Sequence, residues 1–393
     1  MLRRLTLLFI ITFYAGAIAY GQQLSNQKKA ELTEFYHNKA EEHQVVGSSL
    51  AIIRDGTQVY RSNYGLANLE MKEPIDDQTI FHWASITKTF TGIAIMQLRD
   101  RGKLSLDDPV TKYIPKLREV HNEYGSMDEI TIRHLMTHSA GFRGPTWPWG
   151  GDKAWHPHEP QHWEQLVAMF PYTDIKFAPG SKWSYSNPGV IFLGRIIELI
   201  TKDDYEYYVE KNILEPLDMD RSYFDKTPYH LLEHLSHSYF LQEDSTYKEA
   251  RFDLNTGITA SNGGLSAPIP DMINYLNFLL GNGEQGDYEH VLKRSSIEEM
   301  FQPQIEIKPD ADGRENISAR QMGLSFFVSD AFGMRLISHS GGQNGFISHI
   351  YLAPAKNAAY VVAYNNWGQT RKLDREMNEY ILENIFAEMS DLE

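Results

Sequence analysis

Ser85 and Lys88 form a Ser-x-x-Lys pair whose side chains could act together as a nucleophile and its base. The pair lies in "FHWASITKTF", where the apolar spacing predicts a helix that begins here and ends near Gly102. Residues three apart share a helix face, so Lys88 can reach the Ser85 oxygen. A lysine buried there can lose its proton near neutral pH and act as a base. The alternative interpretation is that Ser85 is an ordinary helix N-cap.

The same tetrapeptide pattern occurs twice more, beginning at Ser25 and at Ser245. Ser25 follows closely after the N-terminal apolar segment, and Ser245 lies in a charged stretch with few strand-forming residues. Only Ser85 lies at a predicted helix start in an apolar setting. There its hydroxyl would meet free backbone N–H groups and the positive end of the helix dipole. The context therefore favours Ser85.

A second candidate motif is Tyr185-Ser186-Asn187, between a Pro-Gly turn and a strongly apolar helix. Tyr-x-Asn also occurs at three other positions: Tyr36, Tyr275 and Tyr364. Only the copy at Tyr185 lies on a turn, where side chains can project into a cleft. The Tyr185 hydroxyl can share a proton with Lys88, and Asn187 can position a substrate carbonyl or the lysine.

A third candidate is His339-Ser340-Gly341-Gly342, at the end of a predicted strand. Two glycines there allow a ligand backbone to approach closely. A backbone N–H at this edge could form an oxyanion hole with the N–H of Ser85. The alternative is a glycine-rich bend between a strand and a loop.

The elements that must position these residues are strands at both ends of the chain and helices between them. A helix is predicted over about 25–42, a hairpin at Asp55-Gly56, four strands after about residue 320, and a final helix over 372–389. We expect an α+β fold in which one antiparallel sheet (about 25–80 and 320–393) is covered by the terminal helices. A mainly helical part (about 81–319) would complete it, with the site in the cleft between the two.

In this order, the three motifs resemble those of the serine β-lactamase-related hydrolases: class C β-lactamases, D-alanyl-D-alanine carboxypeptidases, D-aminopeptidases and β-lactamase-like esterases. The stretches "LSLDDPVTKYIP", "TIRHLMTHSAGF" and "NGGLSAPIPDMINYLNFLL" are similar to the family as well. The resemblance runs from about residue 23 to about residue 386. It implies a β-lactamase/transpeptidase-like fold and catalysis through an acyl-enzyme, with no cofactor and no metal.

The resemblance also implies a role for each candidate residue. Ser85 would be the nucleophile, and Lys88 and Tyr185 would move its proton. The backbone N–H groups of Ser85 and Gly342 would form the oxyanion hole. The implied substrate-binding residues are Asn187, His339, Ser340 and Gly341.

One position departs from the family pattern, because His339-Ser340-Gly341 stands where the family has Lys-Thr-Gly. In β-lactamases and carboxypeptidases that lysine helps to attract a substrate carboxylate, so we expect hydrolysis of small esters, amides or D-amino-acid peptides instead. The alternatives are a true β-lactamase or D-Ala-D-Ala carboxypeptidase, and a non-catalytic binding protein with the same fold. Because an unperturbed histidine has a pKa of about 6.5, we predict that the KM of a carboxylate-bearing substrate rises between about pH 6 and 8, while the KM of a neutral ester stays nearly flat.

The N-terminal segment "MLRRLTLLFIITFYAGAIAYGQQ" is typical of a secretory signal peptide. We predict a signal peptide over residues 1–21, cleaved after Ala19 or Gly21, and a catalytic domain over 22–393. The protein would be exported to the periplasm or the extracellular space; an uncleaved anchor is the alternative. The chain has no cysteine and a net charge of −15, which argues against nucleic acid and anionic lipid as partners. A small molecule or short peptide is the expected substrate.

Other histidines could be metal ligands or structural residues. His156, His158 and His162 lie close together in a tryptophan-rich stretch. A metal site is conceivable there, but we favour a loop that packs over the cleft. His134 and His138, four apart on a short predicted helix, are interpreted as structural.

Overall fold

The computed structural model describes residues 24–145, 160, 162–224, 226–250, 257–283, 288–308 and 320–391. The predicted signal peptide, His156 and His158 lie outside these residues. No helix within the described ranges is long and apolar enough to cross a membrane.

The described residues form fifteen strands and eleven α-helices. The strands are β1 (Gly47–Arg54), β2 (Thr57–Asn68), β3 (Glu73–Pro74), β4 (Ile80–His82), β5 (Tyr223–Phe224), β6 (Tyr239–Leu241), β7 (Tyr247–Glu249), β8 (Leu265–Pro268), β9 (Ile305–Glu306), β10 (Gln321–Met322), β11 (Phe327–Ala331), β12 (Met334–Gln343), β13 (Phe346–Ala353), β14 (Ala358–Tyr364) and β15 (Asn366–Trp367). The helices are α1 (Asn26–Glu42), α2 (Thr87–Asp100), α3 (Val110–Tyr113), α4 (Ile132–Met136), α5 (Trp163–Val167), α6 (Asn187–Thr201), α7 (Tyr205–Val209), α8 (Ala260–Gly263), α9 (Ile269–Leu280), α10 (Arg294–Met300) and α11 (Thr370–Ile381).

One antiparallel sheet joins the two ends of the chain, as the sequence predicted. Its nine strands run in the order β3-β2-β1-β14-β13-β12-β11-β10-β9. The join is the pairing of β1 with β14, in which Ser48 lies opposite Tyr364. The predicted hairpin at Asp55-Gly56 connects β1 to β2.

Both faces of the central strands are covered, because every residue of β1 is buried. Alternate side chains point to opposite faces. Leu50 and Ile52 pack in a cluster that contains residues of α1 and α11, whereas Ala51 and Ile53 pack in the larger cluster that contains α2 and α9. The terminal helices therefore cover one face, and the helical part of the chain covers the other.

The central part of the chain also contains short strands that the sequence analysis did not predict. Strands β4, β8 and β5 form a small sheet in which Phe81 lies opposite Ala267. Its strand β4 leads through a 3₁₀ turn, Ala84–Ile86, directly into α2. Residues 87–98 of α2 are all buried, so the start of this helix is held firmly beneath the sheet.

Candidate active site

Ser85 lies on the 3₁₀ turn between β4 and α2 and lines a cavity of about 480 Å³. The preceding residue, Ala84, has a φ of +48°, a left-handed conformation that is uncommon for any residue except glycine. This conformation turns the chain sharply just before Ser85. The hydroxyl is thereby presented to the cavity while its backbone N–H lies at a helix start.

Lys88 lies beneath Ser85 and is only 1% exposed. Its Nζ is 2.9 Å from Ser85 Oγ and donates to the backbone carbonyl of Asn262 at 2.6 Å. Burial lowers the pKa of Lys88 from 10.5 to about 7. A neutral amine is therefore well populated at physiological pH and sits within proton-transfer distance of the hydroxyl.

Tyr185 completes this group, with its ring centroid 5.0 Å from Lys88 Nζ. Burial raises the pKa of Tyr185 above its ordinary value, although a hydrogen bond with Ser85 opposes the shift. Tyr185 therefore stays a neutral phenol near pH 7. Of the two predicted proton carriers, Lys88 is the one suited to act as the base, and Tyr185 is suited to relay a proton.

His138 holds the turn that carries Tyr185. Its carbonyl accepts from the N–H of Ser184 at 2.8 Å, and its Nδ1 accepts from the N–H of Ser186 at 3.2 Å. Its ring lies 4.4 Å from the Tyr185 ring. Burial, and then the charges of Lys88 and His339, hold the pKa of His138 well below its usual value. The structural role predicted for His138 is thus exerted at the site itself.

Strand β12 forms the opposite wall of the cavity. Strand β11 pairs with β12 only as far as Ser338, so residues 339–343 of β12 have a free edge on that side within the described ranges. Gly341 packs so closely against the turn before Ser85 that an added Cβ would lie 2.1 Å from the carbonyl oxygen of Trp83. Ser348 Oγ donates to the same oxygen at 3.1 Å. Only glycine fits at position 341.

A family described as "Beta-lactamase" matches residues 32–383 of the chain. The chain belongs to this family of serine hydrolases. Protein flp of Staphylococcus aureus (strain COL) is 26% identical over 361 residues, which are 92% of this chain and 68% of that protein. A beta-lactamase of Pseudomonas fluorescens is 29% identical over 183 residues, 47% of each chain.

Solved structures confirm the β-lactamase-like fold. An octameric penicillin-binding protein homologue from Pyrococcus abyssi has a TM-score of 0.76 at 29% identity, over 91% of this chain and 77% of that one. A class C beta-lactamase has a TM-score of 0.71 at 20% identity, over 91% and 98%. A D-stereospecific amidohydrolase from Streptomyces sp. has a TM-score of 0.70 at 23% identity, over 89% and 97%.

His339, the position where the beta-lactamase family pattern has lysine, does not behave as an ordinary histidine. It is 1% exposed, and its Nδ1 lies 2.8 Å from the carbonyl oxygen of Ser340, so Nδ1–H donates to that oxygen. Burial, and then the charge of Lys88, lower the pKa of His339 to about 3. The predicted pH-sensitive recognition of carboxylates required His339 to lose its proton between pH 6 and 8. That premise is wrong, because His339 is neutral throughout this range.

We expect the KM of a carboxylate-bearing ester, divided by the KM of its neutral analogue, to have the same pH profile from pH 6 to 8 in the wild type and in His339→Gln. A neutral His339 contributes no charge that could change over this range. Lys88 titrates there and its charge also acts on the carboxylate, so the comparison of the two proteins isolates the contribution of His339. Paired pH profiles of the wild type and His339→Gln measure it. A tenfold rise of the ratio in the wild type alone would show that His339 becomes protonated in the complex.

The predicted site residues converge with one exception. The described lining of the cavity includes Ser85, Tyr185 and the whole run 339–342. Asn187 is the first residue of α6, and its backbone N–H donates to the carbonyl of Gly144 at 3.0 Å. Asn187 lies outside that lining, so its role in substrate binding stays a prediction.

The far half of the cavity was missed by the sequence analysis. It is lined by side chains of α11 and by His349, which faces Ser340 across the β12–β13 pair. His349 Nδ1 is 3.0 Å from Asp374 Oδ2. The cavity residues on α11 are Arg371, Asp374, Arg375, Asn378 and Glu379. The final helix was predicted, but no local signal showed that it faces the cavity.

Of the three histidines that could be metal ligands, His162 alone lies among the described residues. His162 is the N-cap of α5, where its N–H donates to Gln165 Oε1 at 2.9 Å. His134 Nδ1 accepts from the N–H of Thr131 at 3.2 Å. Among the residues described, no group of three His, Cys, Asp or Glu side chains could hold a metal ion.

Proposed function

We propose that this protein is an exported serine hydrolase that forms an acyl-enzyme on Ser85 and cleaves small esters, amides or D-amino-acid peptides. One observation carries the proposal. A fully buried lysine amine with its pKa near 7 lies 2.9 Å from a serine hydroxyl that lines a cavity. Among the described residues Lys88 has no ion-pair partner; burying a lysine in this way is costly, and a catalytic base explains why it is there.

The geometry supports a two-step reaction. Neutral Lys88 takes the proton of Ser85 Oγ as that oxygen attacks the substrate carbonyl, and the new oxyanion accepts hydrogen bonds from the N–H groups of Ser85 and Gly342. The tetrahedral intermediate collapses, the leaving group departs with the proton delivered from Lys88 through Tyr185, and the acyl group remains on Ser85. Water then attacks the ester and gives its proton to Lys88; as the second tetrahedral intermediate collapses, Lys88 returns that proton to Ser85 Oγ and the acid is released.

The state of His339 favours this substrate range over the alternative of a true β-lactamase or D-Ala-D-Ala carboxypeptidase. A neutral, buried histidine cannot supply the positive charge with which a lysine attracts a carboxylate. The contact between Ser85 and Lys88 argues against a non-catalytic binding protein, which would have no use for it.

A substrate panel tests the proposed function. We expect kcat/KM for p-nitrophenyl acetate or a D-Ala p-nitroanilide to exceed that for nitrocefin by a factor on the order of 100, the scale of losing one charge-assisted contact (about 1.5–3 kcal/mol). His339→Lys should narrow this ratio. Nitrocefin hydrolysis as fast as ester hydrolysis in the wild type would instead support the β-lactamase alternative.

Export is a further part of the proposal, and it depends on the N-terminal sequence alone. The arginine pair, the short apolar run and the small residues before Gln22 support a cleaved signal peptide. N-terminal sequencing of the protein from its native host tests this. An intact Met1 on soluble protein inside the cell would contradict it.

A further inference from the structure

A partly buried contact joins the segment before Ser85 to the end of β12. His82, the last residue of β4, places its Nε2 3.2 Å from Gln343 Oε1. Gln343 immediately follows Gly342, and His82 stands three residues before Ser85. The contact therefore links the neighbours of the two backbone N–H groups that would form the oxyanion hole. The two residues are separated by 261 positions in sequence.

The protonation state of His82 decides which atom donates in this hydrogen bond. Burial lowers the pKa of His82 to about 4, so the ring is neutral and offers one donor and one acceptor. Nδ1 lies 3.4 Å from Ser266 Oγ, whose hydroxyl can donate to it. Nε2–H then donates to Gln343 Oε1, and the ring also hydrogen-bonds to the backbone of Gly263.

Gln343 also packs against the segment that holds the base. A Cβ added at Gly263 would lie 2.9 Å from Gln343 Oε1. Gly263 directly follows Asn262, whose carbonyl accepts from Lys88 Nζ at 2.6 Å. The side chain of Gln343, at the end of β12, therefore contacts two segments next to the site. One leads into the turn that carries Ser85, and the other contains the carbonyl partner of Lys88.

A second set of contacts holds β12 against the same turn at another point. Gly341 of β12 is packed against the carbonyl of Trp83, and Ser348 Oγ of the paired strand β13 donates to the same carbonyl. Strand β12 is thus held at the turn by the packing of Gly341, just before Gly342, and by Gln343, just after it. Because β12 is attached on both sides of Gly342, it can neither slide nor rotate about a single point. The direction of the Gly342 N–H is therefore fixed.

We propose that His82 and Gln343 are positioning residues that hold the backbone N–H groups of Ser85 and Gly342 in the arrangement of an oxyanion hole. The inference rests on the proposed acyl-enzyme function. Neither residue lines the described cavity, so both act through the backbone they hold. Catalysis by such donors requires that they already point to where the negative charge develops.

The test is Gln343→Met, which keeps the length of the side chain and removes the acceptor. Losing a whole oxyanion donor costs about 10²–10³-fold in kcat, so misaligning one should lower kcat for acylation by p-nitrophenyl acetate about 10- to 100-fold. KM should change less than about twofold, because the ground state does not use the hole. The affinity for phenylboronic acid, whose adduct with Ser85 is tetrahedral, should fall by the same factor as kcat.

Gln97→Met is the matched control. Gln97 is a buried glutamine on α2, and its Nε2 donates to the carbonyls of Asn212 and Val291 at 3.0 and 2.8 Å. It lies twelve residues along the helix from Ser85, about 18 Å at 1.5 Å per residue. We expect this variant to lose stability while kcat and boronic acid affinity remain near the wild-type values.

A mutant cycle with His82→Phe tests whether the two residues act as a unit. If they do, the double variant is no slower than the slower single variant. Additive losses, or equal kcat losses in Gln343→Met and Gln97→Met, would overturn the inference while Ser85 labelling stays intact. A wild-type protein that a fluorophosphonate fails to label would instead refute the proposed function.

Discussion

Ser85→Ala is expected to abolish covalent labelling by a fluorophosphonate and to lower turnover of p-nitrophenyl acetate by at least about 10⁴-fold. The reason is that the Ser85 hydroxyl lines the cavity and its Oγ lies 2.9 Å from Nζ of the buried Lys88. Removing a covalent nucleophile eliminates the acyl-enzyme path and leaves only the contribution of binding and the oxyanion donors. Mass spectrometry of the labelled protein, together with steady-state rates, measures both effects.

The other two Ser-x-x-Lys serines provide controls with structural roles. Ser25 is the N-cap of α1, where its Oγ accepts from the N–H of Lys28 at 3.1 Å. Ser245 has a φ of +63° in the turn between β6 and β7. Ser25→Ala and Ser245→Ala should be labelled and active like the wild type. An adduct found on either serine would contradict the assignment.

Lys88→Met is expected to slow acylation by about 10²–10⁴-fold, the usual contribution of a general base. In the wild type, log(kcat/KM) should rise with pH up to about 7 and then level off, because only the neutral amine accepts the Ser85 proton. Lys88→Met should lose this rise. Tyr185→Phe should be slower but keep the midpoint, because the pKa of Tyr185 lies above its ordinary value.

Lys88→Met is also expected to raise the free energy of unfolding at pH 7. The pKa of Lys88 is about 7 in the folded protein and 10.5 for an ordinary lysine, so the unfolded chain binds more protons between these pH values and wild-type stability rises with pH there. At pH 7 nearly the whole loss of stability caused by this pKa difference is present. It is roughly 4 kcal/mol, at about 1.4 kcal/mol per pKa unit. Two lost hydrogen bonds offset about 1 kcal/mol each. Urea unfolding at pH 7 and pH 10 checks the sign; a variant less stable than the wild type at pH 7 would show that the lysine is not strained.

The parts of the site that are local in sequence could be predicted. Ser85 and Lys88 share a helix face because they are three residues apart, and the run 339–342 lies at the end of one strand. The antiparallel sheet followed from strand patterns at both chain ends. Each of these inferences needs only the geometry of a single element, or the rule that separated strands pair in one sheet.

The parts that depend on tertiary packing could not be predicted. The protonation state of His339 is set by burial against the base and by the Ser340 carbonyl, and neither is visible in "LISHS". The contact between His82 and Gln343 joins residues 261 positions apart. Likewise, the cavity residues of α11 are brought to the site by contacts with β13, such as that of Asp374 Oδ2 with His349 Nδ1 at 3.0 Å.

The pairing of β1 with β14 has a consequence for how the protein is made. Residues 47–54 are synthesised long before their central partner, residues 358–364. The middle of the sheet cannot close until the chain has been made as far as residue 364, and contacts this distant in sequence form slowly. A nascent chain that cannot fold early can still pass unfolded through a membrane channel, which is compatible with the export proposed above. It also leaves apolar strands exposed for longer, so assistance by chaperones should matter more here than for a protein of equal size with local pairing.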